Sequence, residues 1–148
     1  MKTMLDKSVR EEVIARIQSL SENNHRQWGK MNVYQMLKHC WLAEEMYLGK
    51  KTYKRKLPGY LFGQMALKSI LNSDKPLGRN SPTGAAFIIK ETSGDISDEK
   101  QKWILLIQEY ENTSQAGMIH WFFGPMTKEQ VGMFSYKHAD HHLRQFGV

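Results

Sequence analysis

The amino-acid sequence predicts an all-α fold: a four-helix bundle with long connecting loops and room for one extra short helix. Three observations carry that reading. Apolar residues recur at helical spacing in several stretches, helix-start signatures precede some of them, and few runs alternate as strands do. The 148 residues are expected to form one domain spanning 1–148, and 41% hydrophobic residues argue against disorder.

Residues 8 to 20 read as the first helix. Ser8 and Glu11 fit a capping box, and Val9, Val13, Ile17 and Leu20 mark one face. The polar stretch Ser21 to Arg26 ends it. A second helix begins after Asn32, with Gln35 three residues on. It runs through Met36, His39, Leu42, Ala43 and Met46 to a stop at Gly49. His39 therefore projects from the apolar stripe.

Lys50, Lys51, Lys54, Arg55 and Lys56 follow, five basic residues in seven. They read either as a solvated connection or as a positive rim that receives an anionic substrate. Pro58 suits the first turn of a third helix over 58–72, with Leu61, Met65 and Ile70 available for packing. Residues 73 to 97 are rich in Gly, Pro, Ser and Asn and read as a long loop, the kind that serves as a lid or binding element. Within it, Ala85 to Ile89 reads as a short extended segment. Ser97 or Asp98 then caps a helix in which Trp103, Leu106, Ile107 and Tyr110 follow i, i+3, i+4, i+7 spacing. Residues 112 to 126 read as a second loop, aromatic at Trp121, Phe122 and Phe123. Thr127 and Gln130 cap the last helix, where Val131, Phe134, His138 and His142 share a face.

Three of the six histidines carry the chemistry. His138 and His142 stand one helical turn apart, as paired imidazoles do on metal-binding helices. His39, on the apolar face of another helix, supplies a third nitrogen. His141 lies about 60° from His138 on the helical wheel and is the alternative to His142. Three neutral imidazoles leave a divalent ion its full charge and an open position. Zinc there lowers the pKa of bound water to about 7, and the same position also takes a thiolate. Imidazole suits zinc, nickel, iron and copper alike, so the spacing does not choose the metal. Gln35 and Gln145 are candidate partners that orient the rings. Asp140, on the opposite side of the wheel from His138, reads as a surface residue. Cys40 reads as a small buried residue and His25 as surface.

Trp28 to Asn32, Met36 to His39, His120 to Thr127 and Tyr136 to Gly147 resemble a bacterial branch of the DinB-like, or YfiT-like, superfamily of metal-dependent proteins. The resemblance implies a four-helix bundle with one histidine from an early helix and a pair from the last. On this chain those ligands are His39, His138 and His142, with His141 as the extra histidine beside the pair. Zinc or nickel is the metal it implies. It further implies a small-molecule substrate such as a low-molecular-weight thiol, in a transferase or hydrolase. Here Trp121 follows His120 where many relatives carry proline. His120, His141 and Trp121 are the pocket candidates.

Other classes are weaker. No phosphate loop, nucleophile elbow or dinucleotide fingerprint occurs, and no general base stands out. The net charge of +6 is ordinary for solubility, and its basic residues lie in a loop with no nucleic-acid fold around them. Specific nucleic-acid binding is not expected. No apolar run is long enough to span a bilayer, and the N-terminus lacks the apolar core of a signal peptide, so a cytoplasmic location without membrane partners is the expectation. A homodimer is compatible with the sequence. The competing reading is a binding module whose metal is structural.

Overall fold

The computed structural model describes all 148 residues. Helix α1 (Lys7–Ser19) buries Val9, Val13 and Ile17, with Leu20 closing its end. Its start differs from the Ser8–Glu11 expectation. Asp6 is the N-cap residue and makes no side-chain cap, so Ser8 already lies inside the first turn. The Arg10 guanidinium instead ties down the entering chain, donating to the carbonyls of Met4 (3.0 Å) and Leu5 (2.9 Å).

Helix α2 (Val33–Tyr47) starts at a capping box made by Asn32 and Gln35. It ends before Gly49, which takes φ +70°, a backbone state that favours glycine. Helix α4 (Ile96–Glu109) is capped by Asp95 rather than by Ser97 or Asp98. The Asp95 carboxylate accepts from the Asp98 N–H. Trp103, Ile104, Leu106 and Ile107 are its buried apolar residues, and it packs most extensively on α2. Helix α5 (Lys128–Gln145) starts at the Thr127–Gln130 capping box and packs on α1 and α2. These helices and the segments between them enclose an apolar cluster of 24 residues.

Two features overturn the all-α, four-helix-bundle expectation. The helices number five, and α3 (Leu57–Leu71) is as long as α2, so no member is a short extra. Residues 112 to 126 are also not simply a loop. Strands β1 (Gly117–His120) and β2 (Gly124–Thr127) form an antiparallel hairpin, pairing His120 with Gly124 across the turn Trp121–Phe123. Its strands are four residues long and carry Gly117, Gly124 and Pro125, all poor strand formers, so neither propensity nor alternation marks them. Ala85–Phe87 forms one 3-10 turn rather than an extended segment.

Helix α3 docks on the hairpin through a face other than the one its large residues suggest. Gly59, Gly63 and Leu67 are buried, while Leu61 and Met65 are 77% and 67% exposed. The glycines let the helix backbone approach the turn: a Cβ on Gly63 would lie 2.1 Å from the Phe122 carbonyl oxygen. The Gln64 amide stitches the contact, donating to the carbonyls of Phe123 and Pro125, both at 2.7 Å.

Candidate metal centre

Helices α2 and α5 bring His39, His138 and His142 to one point. One ring nitrogen from each lies within 4.8 Å of the others. Ring centroids are 4.7 to 5.1 Å apart. The helical register explains the convergence. His138 and His142 continue the buried stripe of Val131 and Phe134, and His39 sits between Met36 and Ala43 on the buried stripe of α2.

The outer nitrogens of two rings are assigned by their partners. His39 Nδ1 lies 3.0 Å from the Phe87 carbonyl, which can only accept, so Nδ1 carries the proton and Nε2 is a bare lone pair. Gln145 Nε2 donates to the Trp28 carbonyl at 2.9 Å. That contact orients the amide, placing Oε1 2.9 Å from His142 Nδ1, which therefore donates. His142 Nε2 is likewise left bare.

His138 is the unsatisfied member. Its Nε2 lies 3.1 Å from His39 Nε2, and its enclosed Nδ1 has no partner. A proton on Nε2 leaves Nδ1 bare and buried. A proton on Nδ1 leaves two lone pairs facing each other at Nε2. A cation at the focus removes the second conflict, because lone pairs that repel one another all bind it. The donor set thus fits a metal ion.

Electrostatics keep these rings in ligand form. Burial lowers the pKa of His39, against the raising effect of the Phe87 carbonyl. Burial, then the neighbouring His39 imidazole, holds His142 well below the ordinary range, and burial with neighbouring His142 and His39 does the same for His138. The walls are aromatic: Phe134 stacks on His138 at 6.3 Å, and Tyr47 meets it edge-on at 5.8 Å.

The pocket candidates fall outside this group. His120, at the end of β1, is buried, and its Nδ1 accepts from the N–H groups of Phe122 and Phe123, each at 3.1 Å. Burial pushes its pKa down to about 3, so its role here is to lock the hairpin turn as a neutral ring. Trp121 packs beside it with the rings tilted by 31° and covers Gly84. His141 packs edge-on against Trp28 at 5.5 Å and contributes no nitrogen to the cluster. The basic segment has other partners: Lys50 pairs with Glu109, Lys51 with Glu45, and Arg55 stacks on Tyr60.

Three polar groups carry more structure than the sequence suggested. Gln35 does not orient His39 directly. Its amide donates to the Ile89 carbonyl and so tethers the segment whose Phe87 carbonyl does. Asp140 is buried rather than on the surface, and bonds Arg16 (2.9 Å) and Arg144 (2.8 Å). Glu44 is fully buried between α2, α4 and α5, accepting from the hydroxyls of Tyr110 (2.7 Å) and Ser135 (2.8 Å). A carboxylate beside Ala43 on an apolar stripe was the available signal for it.

A family comparison matches residues 2–147 to the family described as "Protein of unknown function (DUF1569)". No curated protein and no solved structure matches the chain. This corrects the DinB-like, or YfiT-like, assignment, which rested on short stretches and an H-x-x-x-H spacing that any helix with two ligands on one face can carry. With nearly its whole length matched, the chain belongs to the DUF1569 family.

Proposed function

We propose that His39, His138 and His142 hold a divalent metal ion, zinc or nickel, in an enzyme that acts on small molecules. The observation that carries this reading is the three-nitrogen focus, with two rings already oriented by Phe87 and Gln145 and the third left with its outer Nδ1 unpartnered. The group contains three histidines and no fourth histidine, cysteine or carboxylate. Structural zinc sites close with four protein ligands, whereas catalytic ones keep three and an exchangeable position. That count favours catalysis over a purely structural ion. A bound ion would supply Lewis-acid activation of water or of a thiolate. The chain's own part is to present neutral imidazoles, hold them in fixed orientation and surround them with Tyr47, Phe87 and Phe134. A low-molecular-weight thiol is the substrate class we propose first, in a transferase or hydrolase reaction.

The test is metal analysis of protein purified without a histidine tag or nickel column. His142→Ala is expected to lower metal content about tenfold or more, and His141→Ala to leave it near the parent value. The reverse order would make His141 the ligand and refute the assignment. Cobalt-loaded protein is then titrated with small thiols. A spectrum that no thiol or small anion perturbs would replace the catalytic reading with a structural metal.

A further inference from the structure

Five of the nine most exposed large apolar side chains lie on one helix: Leu57 (82%), Tyr60 (62%), Leu61 (77%), Phe62 (53%) and Met65 (67%), all on α3. Scattered exposed apolar residues are ordinary, but a cluster of this kind marks an interaction surface. Helix α3 packs on β2 and α5 through its other side, and the exposed apolar residues run for about 12 Å along it.

Charge selects the occupant. From Met46 to Ser73 there is no Asp or Glu, while Lys50, Lys51, Lys54, Arg55, Lys56 and Lys68 supply six positive charges, equal to the net charge of the whole chain. Lys50 and Lys51 are answered by Glu109 and Glu45. Lys54, Lys56 and Lys68 are exposed, have no carboxylate partner and flank the apolar face at both ends, while the half-buried Arg55 stacks on Tyr60 and donates to the Gly59 carbonyl. A second copy docking α3 on α3 would bring these cations against their own kind with nothing acidic on the face to neutralise them. We propose that α3 docks on an anionic lipid surface, its apolar side chains entering the headgroup boundary and its flanking cations meeting lipid phosphates and carboxylates. No helix is long and apolar enough to cross a membrane, and none needs to be for docking of this kind. The lysine stems reach outward while their ammonium heads stay with the headgroups. This surface is independent of the histidine cluster.

The experiment uses the full chain, sedimented with phosphatidylcholine vesicles and with vesicles in which roughly one-third of the lipid is phosphatidylserine. Binding to the anionic vesicles is expected to exceed binding to the neutral ones by about tenfold or more, and to weaken with salt. Lys54→Gln with Lys56→Gln should reduce it by about fivefold per lysine. Leu61→Ser with Met65→Ser should reduce it by about tenfold or more. These side chains are exposed, and an unchanged thermal melt verifies that each variant is folded. Equal or absent sedimentation with the two vesicle types overturns the proposal, as does a Leu61/Met65 variant that binds like the parent. A protein dimer that dissolves in that variant, with no vesicle binding, assigns the face to a second copy instead. Capture of an acidic amphipathic peptide without vesicle binding assigns it to a protein partner.

Discussion

The α2–α5 seam buries groups that prefer water, and α3 exposes groups that avoid it. The seam encloses His39, His142, Glu44 and Ser135, and almost every polar atom there meets a partner from the chain itself. Two that do not, His138 Nδ1 and the bare Nε2 of His142, belong to the three-histidine cluster. On α3 the inversion has no such answer within the chain. Leu61 and Met65 face outward because Gly59 and Gly63 are the residues that let the helix sit against the Phe122 carbonyl. Buried polar groups are stabilised by internal hydrogen bonds. An exposed apolar row can be covered only by something outside the chain.

The largest expected effect tests the glycine contact. In an open helix, Gly→Ala stabilises by about 0.8–1.0 kcal/mol. Gly63→Ala should instead cost about 3 kcal/mol, because its Cβ meets a backbone carbonyl that no rotamer change can move aside. A chemical denaturation curve showing equal or greater stability would mean that α3 does not dock through this face.

Glu44 comes next. Burial is the main cause that pushes its carboxyl up to about 7, against hydrogen bonds from Tyr110 and Ser135 that lower it. Folded protein therefore retains a proton that the unfolded chain releases above pH 4.5. The stability contribution is complete below that pH and is lost as pH rises to about 7, by at most about 3 kcal/mol. Glu44→Gln removes this slope, so parent minus variant stability should fall across that window. A constant difference would show that Glu44 titrates at its ordinary value.

Gln145→Leu probes the histidine cluster from outside. It removes the acceptor that orients His142 while leaving all three imidazoles in place, and should weaken metal affinity about 10–100-fold. Unchanged affinity would mean that the ring is held by packing alone. The smallest effect belongs to the exposed face: Leu61→Ser should change folding stability by less than about 0.5 kcal/mol. A larger loss, measured by the same denaturation curve, would show that Leu61 packs on the protein.

Local signals determined a good part of this protein. Asn32 with Gln35 and Thr127 with Gln130 marked the starts of α2 and α5, because a capping box is written within four residues. Val131, Phe134, His138 and His142 announced one buried face, because helical period is a property of sequence. Thus the three convergent histidines were legible before the fold was known. What only the tertiary structure decided depends on contacts distant in sequence. The hairpin is held by pairing across a turn and by α3 packed on it, since its own strands carry weak propensity. The buried face of α3 is chosen by the shape of that turn, which a hydropathy pattern cannot encode. Asp140 is drawn inside by Arg16, 124 residues away. The orientation of two of the three imidazoles likewise comes from elsewhere: from Phe87 for His39, and from Trp28 acting through Gln145 for His142. Spacing along a helix brings side chains to a common face, but the proton on His39 is assigned by the distant Phe87 carbonyl and that on His142 by a Gln145 amide which the distant Trp28 carbonyl orients.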